Sequence, residues 1–436
     1  MLSIDHLHGS LTDPVLDSVN FLNEVMGRYP DAISFAPGAP RPAPFDDSVA
    51  AGHIRRYLRH LREARGADPE EAERLISQYG PARGLINDLV SQALRTDHGI
   101  DVAPESVVIT VGAQEGMFVT LRALFSPGDV LAVAEPCFVG ILGAARLLDI
   151  EVVPVSETDD GIDLDQLAGA CRDARARGQR VRALYVAPDH SNPSGTLLDL
   201  RCRRELLALA HREDLLLLED NAYAFTAAPD QELPPLKALD GGGRVVLIGT
   251  FAKVCLPGAR VGYVVAGQDV RHGDGRSAPL AELIAAVKSM VTVNTSPVSQ
   301  AVIGGMLLER GGSISALGEA RAAEYRQNLR HLLQALDQRL SPGSTGIPGV
   351  SWNRPRGGFF VRVRVPVRAD AELLELSAAE FGVLWTPMTH FHVGDGGTNE
   401  LRLSCSYLSH AHIDEGVERL AALLDHVVCG ARERNA

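Results

Sequence analysis

The stretch Gly249-Thr250-Phe251-Ala252-Lys253-Val254-Cys255-Leu256-Pro257-Gly258-Ala259-Arg260 follows the apolar run Val245-Val246-Leu247-Ile248. An apolar run that breaks into Gly-Thr reads as a buried strand and its carboxyl end. A lysine just beyond such an end has a specific chemical use. Its amine condenses with an aldehyde only when unprotonated, which requires a desolvated pocket or a neighbouring positive charge. Arg260 supplies that charge, and its planar fork grips a phosphate through paired hydrogen bonds, as a second lysine would not. Pro257-Gly258 turns the chain so that Arg260 and Lys253 face one ligand, and Thr250 adds a hydroxyl. The same residues also suit an ordinary surface loop, so the reading needs support from elsewhere in the chain.

Outward from this segment, apolar runs alternate with helical patterns. Strands are expected over 106–111, 130–134, 151–155, 181–187, 215–219 and 245–249, with helices over 114–124, 138–148 and 200–212. Such alternation predicts an α/β fold: a large domain with a mostly parallel sheet covered by helices. Ligands of such sheets bind at the carboxyl ends of the strands. Past about residue 315 the pattern changes. A long amphipathic helix over 314–340 leads to a smaller α+β C-terminal domain with strands over 358–365 and 400–405 and a final helix over 412–428. The expected division is an N-terminal arm over 1–45, a large domain over 46–315 and a small domain over 316–436. Loose segments are expected at 41–47, 269–278 and beyond 429.

With 436 residues, 45% of them hydrophobic and 22% charged, the chain can bury a large core. A net charge of −13 argues against a nucleic-acid partner, which calls for a basic face. The six cysteines, at 137, 171, 202, 255, 405 and 429, have neither zinc-site spacing nor disulfide density, so no metal and reduced thiols are expected. Asp5, His6 and His8 interrupt any apolar leader, and no run approaches membrane-spanning length. The expected compartment is the cytosol, with no membrane partner.

Three further strand ends complete a constellation. Thr110-Val111-Gly112-Ala113-Gln114 leads from strand to helix, where free N–H groups favour an anion. Pro188-Asp189-His190-Ser191-Asn192-Pro193-Ser194-Gly195 offers the Asn192 amide to a phenolic oxygen. Glu219-Asp220-Asn221-Ala222-Tyr223 ends a leucine run, and a carboxylate there is costly unless paired. Asp220 opposite a protonated pyridine nitrogen meets that need and keeps the ring an electron sink. Tyr223 joins Asn192 at the phenolic oxygen. Singly, each cluster also suits a tight turn, a helix cap or a core-edge aromatic. In this order they point together to pyridoxal 5'-phosphate, with Lys253 as its Schiff-base residue.

The ordered set Asn192-Pro193-Ser194-Gly195, Asp220-x-x-Tyr223 and Lys253 with Pro257-Gly258-x-Arg260 resembles fold type I pyridoxal phosphate enzymes, specifically class I/II aminotransferases. The resemblance covers almost the whole chain. It implies an enzyme that moves an amino group from an amino acid to a 2-oxo acid, with Lys253 carrying the proton between the α-carbon and the cofactor. It also assigns roles outside the strand ends. Gly38, in the Ile33 to Gly38 segment, lies near the substrate carboxylate. Tyr79, in Gln78-Tyr79-Gly80 with Gly84, reaches the phosphate of a neighbouring subunit. Phe138, in Glu135-Pro136-Cys137-Phe138, stacks on the ring. Arg402, in Arg402-Leu403-Ser404, clamps the α-carboxylate, and Asn294-Thr295-Ser296 approaches the partner's phosphate. A homodimer with shared sites follows.

Two departures from the family pattern stand out: Ala252 occupies a position that is often serine, and Pro387-Met388 one that is often proline-glycine. They alter the expected phosphate anchoring and substrate-loop geometry. Within the family, the texture of 21–37, 249–262 and 293–304 is similar to the dihydroxyphenylglycine and hydroxyphenylglycine transaminases of peptide-antibiotic pathways. Trp385, Met388, His390, Phe391 and His392 read either as a pocket for a ring-bearing substrate or as small-domain packing. Elimination, replacement or ring-forming chemistry, for example on S-adenosylmethionine, shares the same first steps. A non-catalytic ligand sensor is the remaining alternative.

Overall fold

The structure is a computed structural model that describes residues 2–13, 15–16, 24–41, 46–158, 161–271, 273–341 and 347–434. Its centre is an eight-stranded sheet. From one edge, the strands run Val107–Thr110, Gly262–Val265, Val245–Thr250, Leu216–Asn221, Arg180–Val186, Asp129–Glu135, Glu151–Thr158 and Gly161–Ile162. The five strands from Val245–Thr250 to Glu151–Thr158 pair parallel. Gly262–Val265 pairs antiparallel with both of its neighbours, and Gly161–Ile162 pairs antiparallel at the far edge. Six strands therefore point the same way. The expected mostly parallel sheet is present. The sequence reading missed Gly262–Val265, a run of four residues with no alternation to mark it.

The central strands read as unbroken apolar runs because helices cover both faces of the sheet. Val245 to Ile248 are all fully buried, and Leu217 and Leu218 likewise. Helix ends follow local chemistry. Asp199 accepts a hydrogen bond from the Cys202 N–H and caps helix Leu200–Glu213, and Gly66 closes helix Asp47–Arg65 at φ 71°. The strand ends lead directly into the segments singled out above: Thr110 into Gly112, Glu135 into Phe138, Val186 into Asn192, Asp220 into Tyr223 and Thr250 into Lys253.

A second, four-stranded antiparallel sheet has the order Ser351–Trp352, Phe360–Arg364, Glu400–Ser404, Thr386–Pro387. Helices Ile314–Leu340, Ala371–Phe381 and His410–Arg434 accompany it. Its apolar core gathers Leu329, Leu332, Leu336, Val361, Leu401 and Leu420 together with Val25, Ile33 and Phe35 from the N-terminal segment. That segment is tied in by a parallel pair, Ile33–Ser34 against Val383–Leu384.

Two expectations need correction. The segment over 269–278 contains a short antiparallel hairpin, Asp269–Arg271 with Ser277–Pro279, anchored by the half-buried Val270. Strands of three residues are too short to reveal a period. The last helix runs His410–Arg434, past the expected boundary at 428. Residues 42–45 of the expected loose segment 41–47, and 21–23 of the suggestive stretch 21–37, lie outside the described residues.

Candidate active site

A cavity of about 330 Å³ lies where the carboxyl ends of the large sheet meet the small sheet and the N-terminal segment. Of the residues expected to hold cofactor or substrate, Gly38, Ala113, Gln114, Phe138, Asn192, Asp220, Tyr223, Thr250, Lys253, Arg260 and Arg402 line it. Gly112 sits immediately behind. It has φ 72°, and a side chain there would collide with the Arg260 guanidinium, so the close approach of backbone to arginine requires glycine. Tyr79 is elsewhere. It is 88% exposed and borders a surface groove with Thr292, Asn294 and Pro297. Thr295 is buried and donates to the Ile109 carbonyl at 3.0 Å, so of the 294–296 segment only Asn294 borders that groove.

The electrostatics of the cavity follow from burial and neighbouring charge. Lys253 Nζ donates to the Gly38 carbonyl at 2.6 Å. Desolvation, then the charges of Arg402 and Arg260, pull its pKa down to about 8, while Asp220 opposes the shift. About a tenth of the amine is therefore unprotonated at pH 7, against well under a thousandth for an ordinary lysine. Burial pushes Asp220 up to about 6, against the Tyr185 hydrogen bond and the charge of Lys253. Tyr185 Oη donates to Asp220 Oδ2 at 2.5 Å, and Asp220 Oδ1 is buried without a hydrogen-bond partner among the described residues. Burial also raises the Tyr223 phenol, so it remains protonated and able to donate. Its ring is held edge-on by Phe359 and Phe360, with centroids 5.0 and 5.6 Å away.

Arg402 is the second focus. Its Nη1 donates to Asn192 Oδ1 at 2.7 Å, and its Nη2 donates to the Ala36 carbonyl at 2.6 Å and to Thr386 Oγ1 at 3.2 Å. The guanidinium lies over the rings of Phe360 and Phe391 at 4.4 and 4.8 Å. Burial lowers its pKa to about 10, with Tyr223 opposing. Among the described residues no carboxylate pairs with it, and its Nε is buried without a partner. A buried cation held only by neutral groups retains the capacity to pair with a carboxylate.

The pattern of the family Aminotransferase class I and II matches residues 53–420. The chain is a class I/II aminotransferase. It is 47% identical over 424 residues to the (S)-3,5-dihydroxyphenylglycine transaminase of Amycolatopsis orientalis, covering 97% of this chain and 94% of that protein. It is 31% identical to the 2-aminoadipate transaminase of Thermus thermophilus, covering 91% and 90%. Among solved structures, an archaeal alanine:glyoxylate aminotransferase superposes with a TM-score of 0.82 at 26% identity, covering 98% of this chain and all (100%) of that one. The relatives carry the names of aminotransferases, which selects amino-group transfer among the reactions left open by the sequence.

The cofactor of this aminotransferase is pyridoxal 5'-phosphate, and the residues present fit it. The orphaned Asp220 oxygen suits a protonated ring nitrogen. Helix Gly112–Leu124 starts without a side-chain cap, which leaves its first N–H groups beside Arg260 for a phosphate. Ala252, where serine is common, lines the cavity with a methyl group and donates only its N–H, to Thr250 Oγ1 at 3.2 Å.

The aromatic segment near the second arginine divides. His390 and Phe391 line the cavity, as does Thr386. Trp385 is fully buried in the small-domain core, with its Nε1 donating to Ser377 Oγ at 3.1 Å. Met388 is fully buried, and His392 Nδ1 stands 3.4 Å from Glu135. The segment thus divides between cavity wall, at His390 and Phe391, and small-domain packing, at Trp385. The sequence reading missed Tyr185, Met26 and Thr386 as cavity residues. Nothing local in the sequence marks Tyr185. It pairs with Leu218 across parallel strands, so its side chain shares a face with Asp220 two residues on.

Proposed function

We propose that this aminotransferase works on amino acids and 2-oxo acids with a neutral, ring-bearing side chain, of the arylglycine type, in specialised metabolism. The observation that carries the reading is the charge distribution in the cavity. Its cations, Lys253, Arg260 and Arg402, each have a cofactor or carboxylate to serve, and the wall beyond them includes Met26, Met117, Phe138, Val139, His390 and Phe391 and, among the described residues, no further cation. His390 is kept toward its neutral form by burial and by Arg402. A neutral imidazole among apolar groups suits an aromatic ring bearing a hydroxyl better than a second carboxylate. The similarity to a dihydroxyphenylglycine transaminase supports the same choice.

Pyridoxal 5'-phosphate, when bound, supplies an aldehyde for the carbon–nitrogen bond and a ring that accepts the electron pair left at the substrate's α-carbon. The chain's residues do the rest. Arg402, steadied by Asn192, grips the substrate carboxylate and orients the α-hydrogen. The Lys253 amine, free of its proton in part at neutral pH, would take the α-proton and carry it across the carbon–nitrogen bond to the cofactor's side. Asp220 stays ionised opposite the ring nitrogen, with Tyr185 holding its other oxygen. Thr250, Arg260 and the N–H groups of Gly112, Ala113 and Gln114 bind the phosphate, Phe138 covers the ring, and Tyr223 and Asn192 bond the phenolic oxygen.

The same reading makes the chain a homodimer, in which the exposed Tyr79 reaches the partner's phosphate. The exposed Met290, Val291, Val293 and Val298 provide an apolar face for it. It divides the chain at 1–45, 46–315 and 316–436, supported by the separate core around the small sheet. The five described cysteines are buried and unpaired, which suits a reducing cytosol. Among the described residues no helix is long and apolar enough to cross a membrane. The decisive experiment offers the purified enzyme hydroxyphenylglycines, aromatic amino acids, glutamate and 2-aminoadipate as donors and quantifies the 2-oxo acids formed. Ring-bearing donors should lead in kcat/KM by about tenfold or more, the worth of a well-matched apolar pocket. A clear preference for the acidic donors would reject the assignment.

A further inference from the structure

Behind the cavity, helix Gly112–Leu124 carries a buried ion pair, closed on its outer side by the exposed Thr292, that the reaction itself does not use. Lys288 is fully buried, and its Nζ lies 2.8 Å from Glu115 Oε2. The same Nζ donates to Thr292 Oγ1 at 2.7 Å, and that hydroxyl donates to Glu115 Oε1 at 2.5 Å. Glu115 Oε2 also accepts the Val111 N–H at 2.6 Å. The three side chains thus close a triangle whose fourth member is the backbone of the strand-to-helix turn.

We propose that Glu115, Lys288 and Thr292 form a positioning cluster that holds the 111–114 turn in the shape that receives the cofactor's phosphate. This inference rests on the proposed phosphate site. Two physical points carry it. Buried ion pairs contribute little to stability compared with apolar side chains of the same volume, so packing alone does not call for this one. Its distinctive product is a charge-neutral acceptor for the Val111 N–H, which fixes the turn while leaving the next N–H groups directed at the cavity. A lone Glu115 would be favourable at a helix N-terminus but would repel an anion bound at that same end. Lys288 cancels that charge, and Thr292 sets the position of both partners. Thr295 Oγ1, bonded to the Ile109 carbonyl, ties the segment after Thr292 to the strand that enters the turn.

The test compares binding of pyridoxal 5'-phosphate with that of pyridoxal, which lacks the phosphate, to apoenzyme by absorbance titration. Lys288→Met should weaken the phosphorylated ligand by about tenfold and pyridoxal by no more than about twofold, as expected when Glu115 is left unpaired near the bound anion. Thr292→Val, which releases both partners of the pair from their position, should move the ratio the same way, and it carries the test if Lys288→Met does not fold. Equal weakening of both ligands, or no change in either, would overturn the proposal. Arg260→Gln separates the two levels of argument. If it leaves the ratio unchanged, the phosphate site itself is wrong; if it lowers the ratio while the cluster variants do not, only the positioning role fails.

Discussion

The two ends of the cavity are built differently. At the cofactor end, Asp220 lies near the end of one strand of the large sheet, and Lys253, Asn192 and the 112–114 turn follow others, so a short local stretch fixes each of them. At the substrate end, Arg402 is held by the Ala36 carbonyl, the Thr386 hydroxyl and the Asn192 amide, which come from segments hundreds of residues apart. The first end is a property of strand ends. The second is a property of how the N-terminal segment, the large sheet and the small sheet pack on one another.

Substitutions that separate binding of cofactor from binding of substrate break or sharpen this contrast. The largest effect belongs to Lys253→Ala, which should lower turnover by about 10³-fold or more, the range expected when a positioned acid–base group is lost. Single-turnover assays with preloaded cofactor would reveal full activity if the assignment were wrong. The depressed pKa of Lys253 adds a direction. Because the unprotonated amine does the condensing, cofactor loading should speed up as pH rises through about 8 and level off above it. A rate that falls over that interval contradicts the arrangement.

Next comes Arg402→Gln, which should raise KM for the amino acid by about 30-fold or more through lost charge-assisted hydrogen bonds. Cofactor affinity should change little, and equal losses in both would erase the distinction between the two ends.

The smallest effect is at Tyr185→Phe. Losing one hydrogen bond to a carboxylate should weaken cofactor binding roughly fivefold. The sign of its pH dependence is fixed. Asp220 must be ionised to pair with the ring nitrogen, and the Tyr185 hydrogen bond holds its pKa down. Without that bond, the loss of affinity on acidification should begin at a higher pH than in the unaltered protein, as fluorescence titrations at stepped pH would register.

The same contrast explains what the sequence could reveal. Lys253, Arg260 and Asp220 were legible because an apolar run, a turn and a charged residue are contiguous. Tyr185 was not, since its partner is set by strand register. Trp385 and Phe391 look alike in the sequence, yet one lies in the small-domain core and the other in the cavity wall. Only the turn from Thr386–Pro387 into the 3-10 helix Met388–Phe391 separates them. The short strands Gly262–Val265 and Asp269–Arg271 escaped because so few residues carry no measurable period. The long helix Ile314–Leu340 was found to the residue, because twenty-seven residues with a consistent apolar stripe leave little ambiguity.

The N-terminal segment is laced to the small sheet at several points. Phe35 exchanges backbone hydrogen bonds with Leu384 and Ser404, the Ser406 hydroxyl reaches the Ala39 carbonyl, and the Tyr407 hydroxyl reaches the Ser34 carbonyl. Anyone recombining this enzyme with a relative to transplant its selectivity therefore has to treat residues 33–39, 383–391 and 400–407 as one inheritable block. A crossover that separated them would join a guanidinium from one parent to the carbonyl that steadies it from another.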